Sequence, residues 1–293
     1  MMNYISKIQY NLKYYKKIHT NKTTSHILDG SYNSVYKGRS MNFDELREYV
    51  PGDDVKDIDW KATARSQKIL IKQYIAEKKH NLMLVVDTNK RMLADSASFE
   101  KKSEVGLIAA GTLAYMVNSN GDYVSAVYPT SKSIQYFPFK TGLFNIENIM
   151  SGYDKEVSKG IDTDINSALD YILHNLRRKM IMVIVTDISG MISISESALK
   201  RLLVVHDVLF VCVSDTGIAG KKTYNIAQED YMPAFVTQSK SLAKKEAKQK
   251  EIKYNQCLEK LNRYGVAMTI VDSVDDMDKK LIELLEKHKV EKR

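Results

Sequence analysis

Residues 82–87 read LMLVVD, and residues 180–187 read MIMVIVTD. Both runs are short, apolar and rich in β-branched side chains, which is typical of a strand buried on both faces of a sheet. Segments with helical spacing follow them, so strand alternates with helix along the chain. Three further runs share this character and are predicted as strands: Tyr123–Tyr128, Val208–Val213 and Val266–Val271. The alternation predicts an α/β fold, a mostly parallel sheet with helices on both faces.

The pattern divides the chain into three regions. Residues 1–28 have apolar side chains at helical intervals and predict an amphipathic helix, for which packing on the body is favoured over binding a partner or a membrane surface. Residues 29–78 predict a small β-rich subdomain, with strands over 30–38 and 68–76 around an irregular, charged centre. Residues 79–293 hold the α/β domain, which includes a long charged helix near 239–263.

The net charge of +8 is concentrated at the two ends of the chain. Residues 1–28 carry five lysines and no acid (+5), residues 239–293 carry fourteen basic and ten acidic side chains (+4), and the remainder has a charge of −1. Solvated helix faces explain this distribution better than a basic nucleic-acid channel does. We therefore expect no nucleic acid among the partners.

Cysteine usage and hydropathy bear on the compartment. The two cysteines, Cys212 and Cys257, have no CxxC partner and no nearby histidine, so neither a disulfide framework nor a zinc site is predicted. No stretch approaches the ~18 uncharged apolar residues of a membrane span. The first residues also lack the apolar core of a signal peptide. We expect a cytoplasmic protein without a membrane span.

Four of the five predicted strands run directly, or within one residue, into an aspartate: Asp87, Asp187, Asp215 and Asp272. In open α/β sheets the ligand crevice lies beyond the carboxyl ends of the strands, where these carboxylates are expected. Asp215 and Asp272 are interpreted as caps of the helices that follow. Asp87 and Asp187 are predicted to hold an ion or a partner.

Residues 40–74, SMNFDELREYVPGDDVKDIDWKATARSQKILIKQY, carry the most specific motif of the chain. They resemble the Domain of Unknown Function family fifty-eight, and the resemblance extends over roughly residues 30–290. The matching positions are Gly38, Phe43, Leu46, Arg47, Glu48, Tyr49, Pro51, Gly52, Asp53, Asp59, Trp60, Ala64 and Arg65.

That family is similar to von Willebrand factor A domains, and many members are encoded beside MoxR-type AAA+ ATPases. The resemblance implies a MoxR-type ATPase as partner and an accessory or adaptor role in the chaperone-like maturation of other, unknown client proteins. Many relatives carry N-terminal membrane helices, a feature that this sequence does not show.

The signature residues also have an interpretation of their own. Opposite charges stand at short spacings, and Arg47, Asp53, Asp59 and Arg65 are predicted, with Glu48 and Asp57, to form a network that fixes an irregular segment. Trp60 is expected to be buried beside this network, with a partner for its indole N–H. A structural role is favoured over a catalytic one.

The resemblance to A-type domains also implies a metal-ion-dependent adhesion site, with a D-x-S-x-S motif, a loop threonine and a later aspartate. Asp87, Thr163 and Asp187 match three of these positions, whereas Asn89 and Arg91 replace the two serines. Oxygen ligands of this kind suit Mg²⁺, but a guanidinium has no acceptor atom. Two alternatives remain: a weak magnesium site with Arg91 turned away, or an ionic latch in which Arg91 pairs with Asp87 or Asp187. The latch is favoured.

No nucleotide-binding G-x-x-x-x-G-K-[ST] loop, G-x-S-x-G elbow or H-E-x-x-H motif occurs, so the chain is not predicted to be an enzyme. The predicted function is protein binding through the face where Asp87, Asn89, Thr163 and Asp187 converge, a degenerate adhesion site. The alternative is a metal-dependent phosphoesterase or nuclease that uses the carboxylates of PGDDVKDID or of the strand ends.

Overall fold

The computed structural model describes residues 4–18, 41–76, 79–217, 224–225, 230–231, 239–275 and 277–291. The chain forms two compact units. The body comprises Met1–Ser31 and His80–Arg293, and the signature unit comprises Tyr32–Lys79. The residues of the N-terminal helix therefore group with the body.

The body is built on a six-stranded sheet, which confirms the predicted α/β fold with a mostly parallel sheet. Five neighbouring strands are parallel, and the sixth, at one edge of the sheet, pairs antiparallel with its neighbour. In chain order the strands are β3 (Asn81–Val86), β4 (Tyr123–Pro129), β5 (Ile134–Lys140), β6 (Ile181–Asp187), β7 (Asp207–Val213) and β10 (Met268–Val271), and their spatial order is β10-β7-β6-β3-β4-β5. Two further short strands, β8 (Tyr224–Asn225) and β9 (Asp230–Tyr231), pair with each other.

Helices cover both faces of this sheet. The described helices of the body are α1 (Tyr4–Ile18), α3 (Lys102–Ser119), α4 (Leu143–Val157), α5 (Ile165–Asn175), α6 (Ile188–Ser193), α7 (Glu196–Val205), α8 (Lys240–Asn262) and α9 (Met277–Glu291). In β6, Met182 and Ile184 join the core cluster under α5 to α8, whereas Ile181 and Val183 line the same small cavity as Leu113 of α3. The apolar run of β6 is continuous because both of its faces are covered.

Helix α1 packs against α3 with the apolar side that its spacing predicts. Ile8 and Leu12 are buried. Gly111 of α3 permits the close approach, because a Cβ atom there would lie only 2.6 Å from the Cδ1 atom of Ile8.

The signature unit differs in detail from its prediction. Strand β1 (Met41–Glu48) pairs antiparallel with β2 (Leu70–Ala76), so the FDELRE segment that was expected to be irregular is a strand. The strand predicted over residues 30–38 lies outside the described residues. A 3-10 turn at Val55–Asp57 and a short helix, α2 (Trp60–Ser66), connect the two strands.

Within the described part of the chain, no helix combines the length and the apolar character needed to cross a membrane.

Candidate functional site

Asp87 directly follows β3 and is completely buried. Its Oδ1 atom accepts from the backbone N–H of Asn89 at 2.9 Å. Its Oδ2 atom accepts from Thr186 Oγ1 at 2.6 Å and from the guanidinium of Arg91 at 3.2 Å. Burial raises the pKa of Asp87, although Thr186, Asn89 and Arg91 each favour the ionised form.

Asp187 ends β6, the neighbouring strand, and caps helix α6. Its Oδ1 atom accepts from Gly190 N at 2.7 Å and lies 3.5 Å from Arg91 Nε. Its Oδ2 atom accepts from Lys102 Nζ at 2.8 Å. Burial opposes ionisation of this carboxyl, but the charge and hydrogen bond of Lys102, the N–H of Gly190 and the charge of Arg91 together outweigh burial, and the pKa of Asp187 is lowered. Arg91 therefore bridges Asp87 and Asp187.

Lys102 is a member of this site that the sequence did not reveal. It is the first residue of α3, and only 2% of its side chain is exposed. Its ammonium contacts Asp187 and also Asp215, which follows β7. Burial acts to lower the pKa of Lys102, but the two carboxylates outweigh it and the pKa is raised.

The interpretation of Asp215 and Asp272 as helix caps is wrong. Asp215 pairs with Lys102, and the carboxylate of Asp272 accepts from Lys280 Nζ at 2.6 Å. Each carboxylate is thus held by a side chain on a different element. A strand-end aspartate becomes a cap only where a helix begins beside it, as α6 does at Asp187.

Together these side chains form an alternating line of charges, Asp87–Arg91–Asp187–Lys102–Asp215, which we call the ion series. It crosses the carboxyl ends of β3, β6 and β7, three adjacent strands of the sheet.

Asn89 and Thr163 lie beside the ion series. Asn89 accepts from Arg91 N at 3.0 Å with its Oδ1 atom and donates its amide to the carbonyl of Thr163 at 2.6 Å. The hydroxyl of Thr163 lies 3.2 Å from that of Thr88. The structure therefore brings all five predicted site residues together, but the side-chain oxygens of Asn89 and Thr163 contact groups other than the two carboxylates.

The arrangement does not fit the magnesium ion that an adhesion site implies. Each of the four carboxylate oxygens of Asp87 and Asp187 lies against a hydrogen-bond donor or a cation, and two of the contacting groups carry positive charge. Among the described residues, no group of three or more His, Cys, Asp or Glu side chains is placed to hold a metal. A divalent ion would have to displace both Arg91 and Lys102 from the carboxylates.

Burial decides which of these residues a partner reaches. Asp87, Asn89 and Asp187 are at most 3% exposed and lie beneath the surface. Arg91 is 35% exposed, and beside it Lys90 pairs with the exposed Asp162 at 2.6 Å. A partner at the carboxyl ends of these strands would contact Lys90, Arg91 and Asp162 rather than the two buried aspartates.

In the signature unit, two aspartates fix local backbone. Both oxygens of Asp53 accept from Arg47 at 2.7 Å, and Asp53 Oδ2 also accepts from Val50 N at 3.0 Å. Arg47 first, and Val50 next, lower the pKa of Asp53 to about 2. Asp59 caps α2 by accepting from two backbone N–H groups of its first turn. Gly52, in the turn that Asp53 fixes, has φ +111°, which a residue with a side chain rarely adopts.

The predicted continuous network does not form. Glu48 pairs with Lys68, and Asp59 Oδ2 lies 3.5 Å from Lys72 Nζ, so the contacts are separate pairs. Arg65 makes no ion pair with any described residue. The remaining signature positions serve the backbone or lie at the surface: Tyr49 N donates to Ile69 O, and Pro51 is exposed in the turn.

The expectation that Trp60 is buried is also wrong, because 65% of it is exposed. Trp60 is the first residue of α2, a helix without buried residues.

Residues 45–217 match the model of a family described as protein of unknown function DUF58. The chain belongs to this family. The matched range includes most of the signature unit and every residue of the ion series. The predicted membership is therefore confirmed, whereas an association with MoxR-type ATPases stays a prediction.

Proteins similar to this chain include uncharacterized proteins of Mycobacterium bovis and Mycobacterium tuberculosis, which are 26% identical to it over 191 residues. The aligned region covers 64% of this chain and 60% of the mycobacterial proteins, so the chain spans less than two thirds of their length.

Solved structures with partial similarity include a von Willebrand factor type A protein from Catenulispora acidiphila (TM-score 0.36, 9% identity, 75% of this chain and 45% of that chain). An aerotolerance-related membrane protein from Bacteroides fragilis has a TM-score of 0.43 and 13% identity over 71% of this chain and 99% of that chain. Likeness at this level says nothing about function.

Proposed function

We propose that this DUF58 protein is a non-enzymatic protein-interaction protein that docks through the carboxyl edge of its sheet. One observation carries the proposal: the chain's own cations, Arg91 and Lys102, already neutralise the buried carboxylates of the ion series. What remains at the surface is a charged patch formed by Lys90, Arg91 and Asp162. A patch of this kind suits the recognition of charged side chains on another protein.

The alternative of a phosphoesterase or nuclease requires carboxylate oxygens that are available to metal ions. The carboxylate oxygens of Asp87 and Asp187 are already occupied by hydrogen-bond donors and by the cations Arg91 and Lys102. In the PGDDVKDID segment, Asp53 binds Arg47, and Asp54 and Asp59 accept from backbone N–H groups. The occupied carboxylates of Asp53, Asp87 and Asp187 support a binding role over catalysis.

The partner in this proposal is a MoxR-type AAA+ ATPase, with unknown client proteins, as the family resemblance implies. The protein would act as an adaptor in their chaperone-like maturation. We place it in the cytoplasm, in keeping with two cysteines that are both free and buried.

The test is affinity purification of the tagged protein from its native cells, with and without ATP, followed by mass spectrometry. Lys90→Glu reverses a charge of the exposed patch without touching the buried carboxylates. Lys140→Glu is the matched control, because Lys140 is exposed and pairs with Val124 near the start of β4. It therefore lies by the amino ends of the parallel strands, away from their carboxyl ends.

We expect an AAA+ ATPase with the wild type and with Lys140→Glu, and a several-fold lower yield with Lys90→Glu. Equal yields from both variants would contradict docking at this edge. Recovery of nucleic acid alone would contradict the adaptor role. Metal-dependent cleavage of a generic phosphodiester that is lost in Asp87→Ala would show that the protein is an enzyme.

A further inference from the structure

We infer that Lys102 is the resident cation of the sheet's carboxyl edge, and that with Arg91 it takes the electrostatic place of a divalent ion, so that this edge is assembled without a metal. The inference concerns the protein alone and does not depend on any partner in the proposed function.

Lys102 occupies a position that is unfavourable for a cation without partners. A lysine that is 2% exposed is rare unless carboxylates neutralise it, and the N-terminus of a helix carries a partial positive charge that disfavours a cation. Lys102 is both buried and the first residue of α3. Asp187 and Asp215 are the groups that make this position favourable, and the lysine in turn holds the ends of β6 and β7 together.

The three carboxylates are divided between two cations. Arg91 contacts Asp87 and Asp187, and Lys102 contacts Asp187 and Asp215, so Asp187 is shared. Guanidinium and ammonium together carry a charge of +2, which equals that of Mg²⁺. Both are covalently attached, so they need not be recruited from solution.

The packing around the buried carboxylates is tight. Gly190 lies so close that a Cβ atom there would be 1.9 Å from Thr186 Oγ1 and 2.8 Å from Asp87 Oδ2. Octahedral Mg²⁺ usually retains several waters. A site that a single methyl group would overfill leaves little room for such water on this side.

The cations also connect the edge to the helical layer. Helix α3 begins at Lys102 and packs against α1, α4 and α9. An ammonium at its first residue therefore ties the strand ends to the helices on that face. A hydrated metal ion would not make this covalent connection.

The experiment measures thermal unfolding of the full chain in EDTA and in millimolar Mg²⁺, with calorimetric titration of Mg²⁺ into the wild type. We expect the same melting temperature in both buffers and no heat of binding. A melting temperature that falls in EDTA and is restored by Mg²⁺, or a saturable binding heat, would overturn the inference. The wild-type measurement is decisive even if a variant fails to fold.

Variants then test Lys102 itself. Lys102→Met keeps an apolar stem of similar length but removes the charge, and the exposed neighbour provides the matched control Lys101→Met. We expect the melting temperature to fall by on the order of 10 °C in Lys102→Met and by about 2 °C or less in the control. Equal effects would contradict a role for the ammonium.

A double-mutant comparison separates an ionic role from simple packing. Asp215→Asn removes one carboxylate partner of Lys102. If the ion pair is the source of stability, the combined Lys102→Met/Asp215→Asn protein should lose less than the sum of the two single losses. Strictly additive losses would show that the Lys102–Asp215 pair contributes no stability and would overturn the inference that Lys102 joins the ends of β6 and β7.

Discussion

The body and the signature unit each contain a set of charged side chains, but the two sets are built differently. In the ion series, Arg91 and Lys102 join three carboxylates, of which those of Asp87 and Asp187 are almost completely buried, and Lys102 stands 85 and 113 residues from its partners. In the signature unit, Arg47 and Asp53 are six residues apart and partly exposed. Burial makes the first set costly to break, whereas solvent screens the second.

A dense run of charges in a sequence therefore does not locate the energetically important ions. PGDDVKDIDW looks like the charged centre of the protein, yet its pairs are local and its tryptophan is at the surface. The buried ions come from strand ends and from the first turn of a helix.

The largest effect is expected from Gly190→Ala, which tests how tightly the ion series is packed. The added methyl group would overlap Thr186 Oγ1 and displace this hydroxyl, which donates a hydrogen bond to Asp87 Oδ2. We expect a loss of at least about 3 kcal/mol in the free energy of unfolding. Urea denaturation measures it, with Ser189→Ala as the neighbouring control. A loss below about 1 kcal/mol would mean that the cluster is loose.

The next effect is expected from Arg91→Met. This change leaves Asp87 and Asp187 without their shared cation, and we expect a loss of about 2 kcal/mol in the free energy of unfolding, measured in the same way. The loss should shrink in the background of Asp87→Asn, which removes one of the stranded charges. An unchanged loss in that background would indicate that Arg91 acts through its apolar stem.

Asp278 provides the contrast within the body, because no described cation pairs with it. Burial raises its pKa from 3.8 to about 6. Between these two pH values the unfolded chain has released the proton and the folded chain retains it, so stability decreases as pH rises and stays lower above pH 6.

Asp278→Asn should therefore stabilise the protein by about 1 to 2 kcal/mol at pH 7 and by much less near pH 4. Denaturation across this pH range is the measurement. A difference that does not vary with pH would show that Asp278 keeps an ordinary pKa.

The smallest effect is expected from Arg47→Met, the counterpart of Arg91→Met in the signature unit. The side chain of Arg47 is 39% exposed, and we expect the melting temperature to change by about 2 °C or less. If Arg47→Met lowered the free energy of unfolding as much as Arg91→Met does, the distinction between the two sets of charges would be wrong.

Much of the fold follows from the sequence, because strands buried on both faces produce unmistakable apolar runs. The edge strand β5 was missed since its side chains are only partly buried and it contains Pro138, which is tolerated at a sheet edge. Helix α4, which follows β5 in the chain, was not predicted either.

The site was predictable in part. Asp87, Arg91 and Asp187 stand at strand ends or within a recognisable motif. Lys102 lies in the segment EKKSEVG, where its neighbour Lys101 is exposed, and nothing local distinguishes the two lysines. Only the packing of α3 against the sheet buries one of them.

A crystal structure grown with millimolar Mn²⁺, with anomalous data collected at the manganese edge, would show directly whether Arg91 and Lys102 take the place of a metal ion. We predict Lys102 Nζ between Asp187 and Asp215, the guanidinium of Arg91 between Asp87 and Asp187, and no anomalous peak at the edge of the sheet. A manganese peak coordinated by Asp87, Thr163 and Asp187, with Arg91 turned away, would contradict the account.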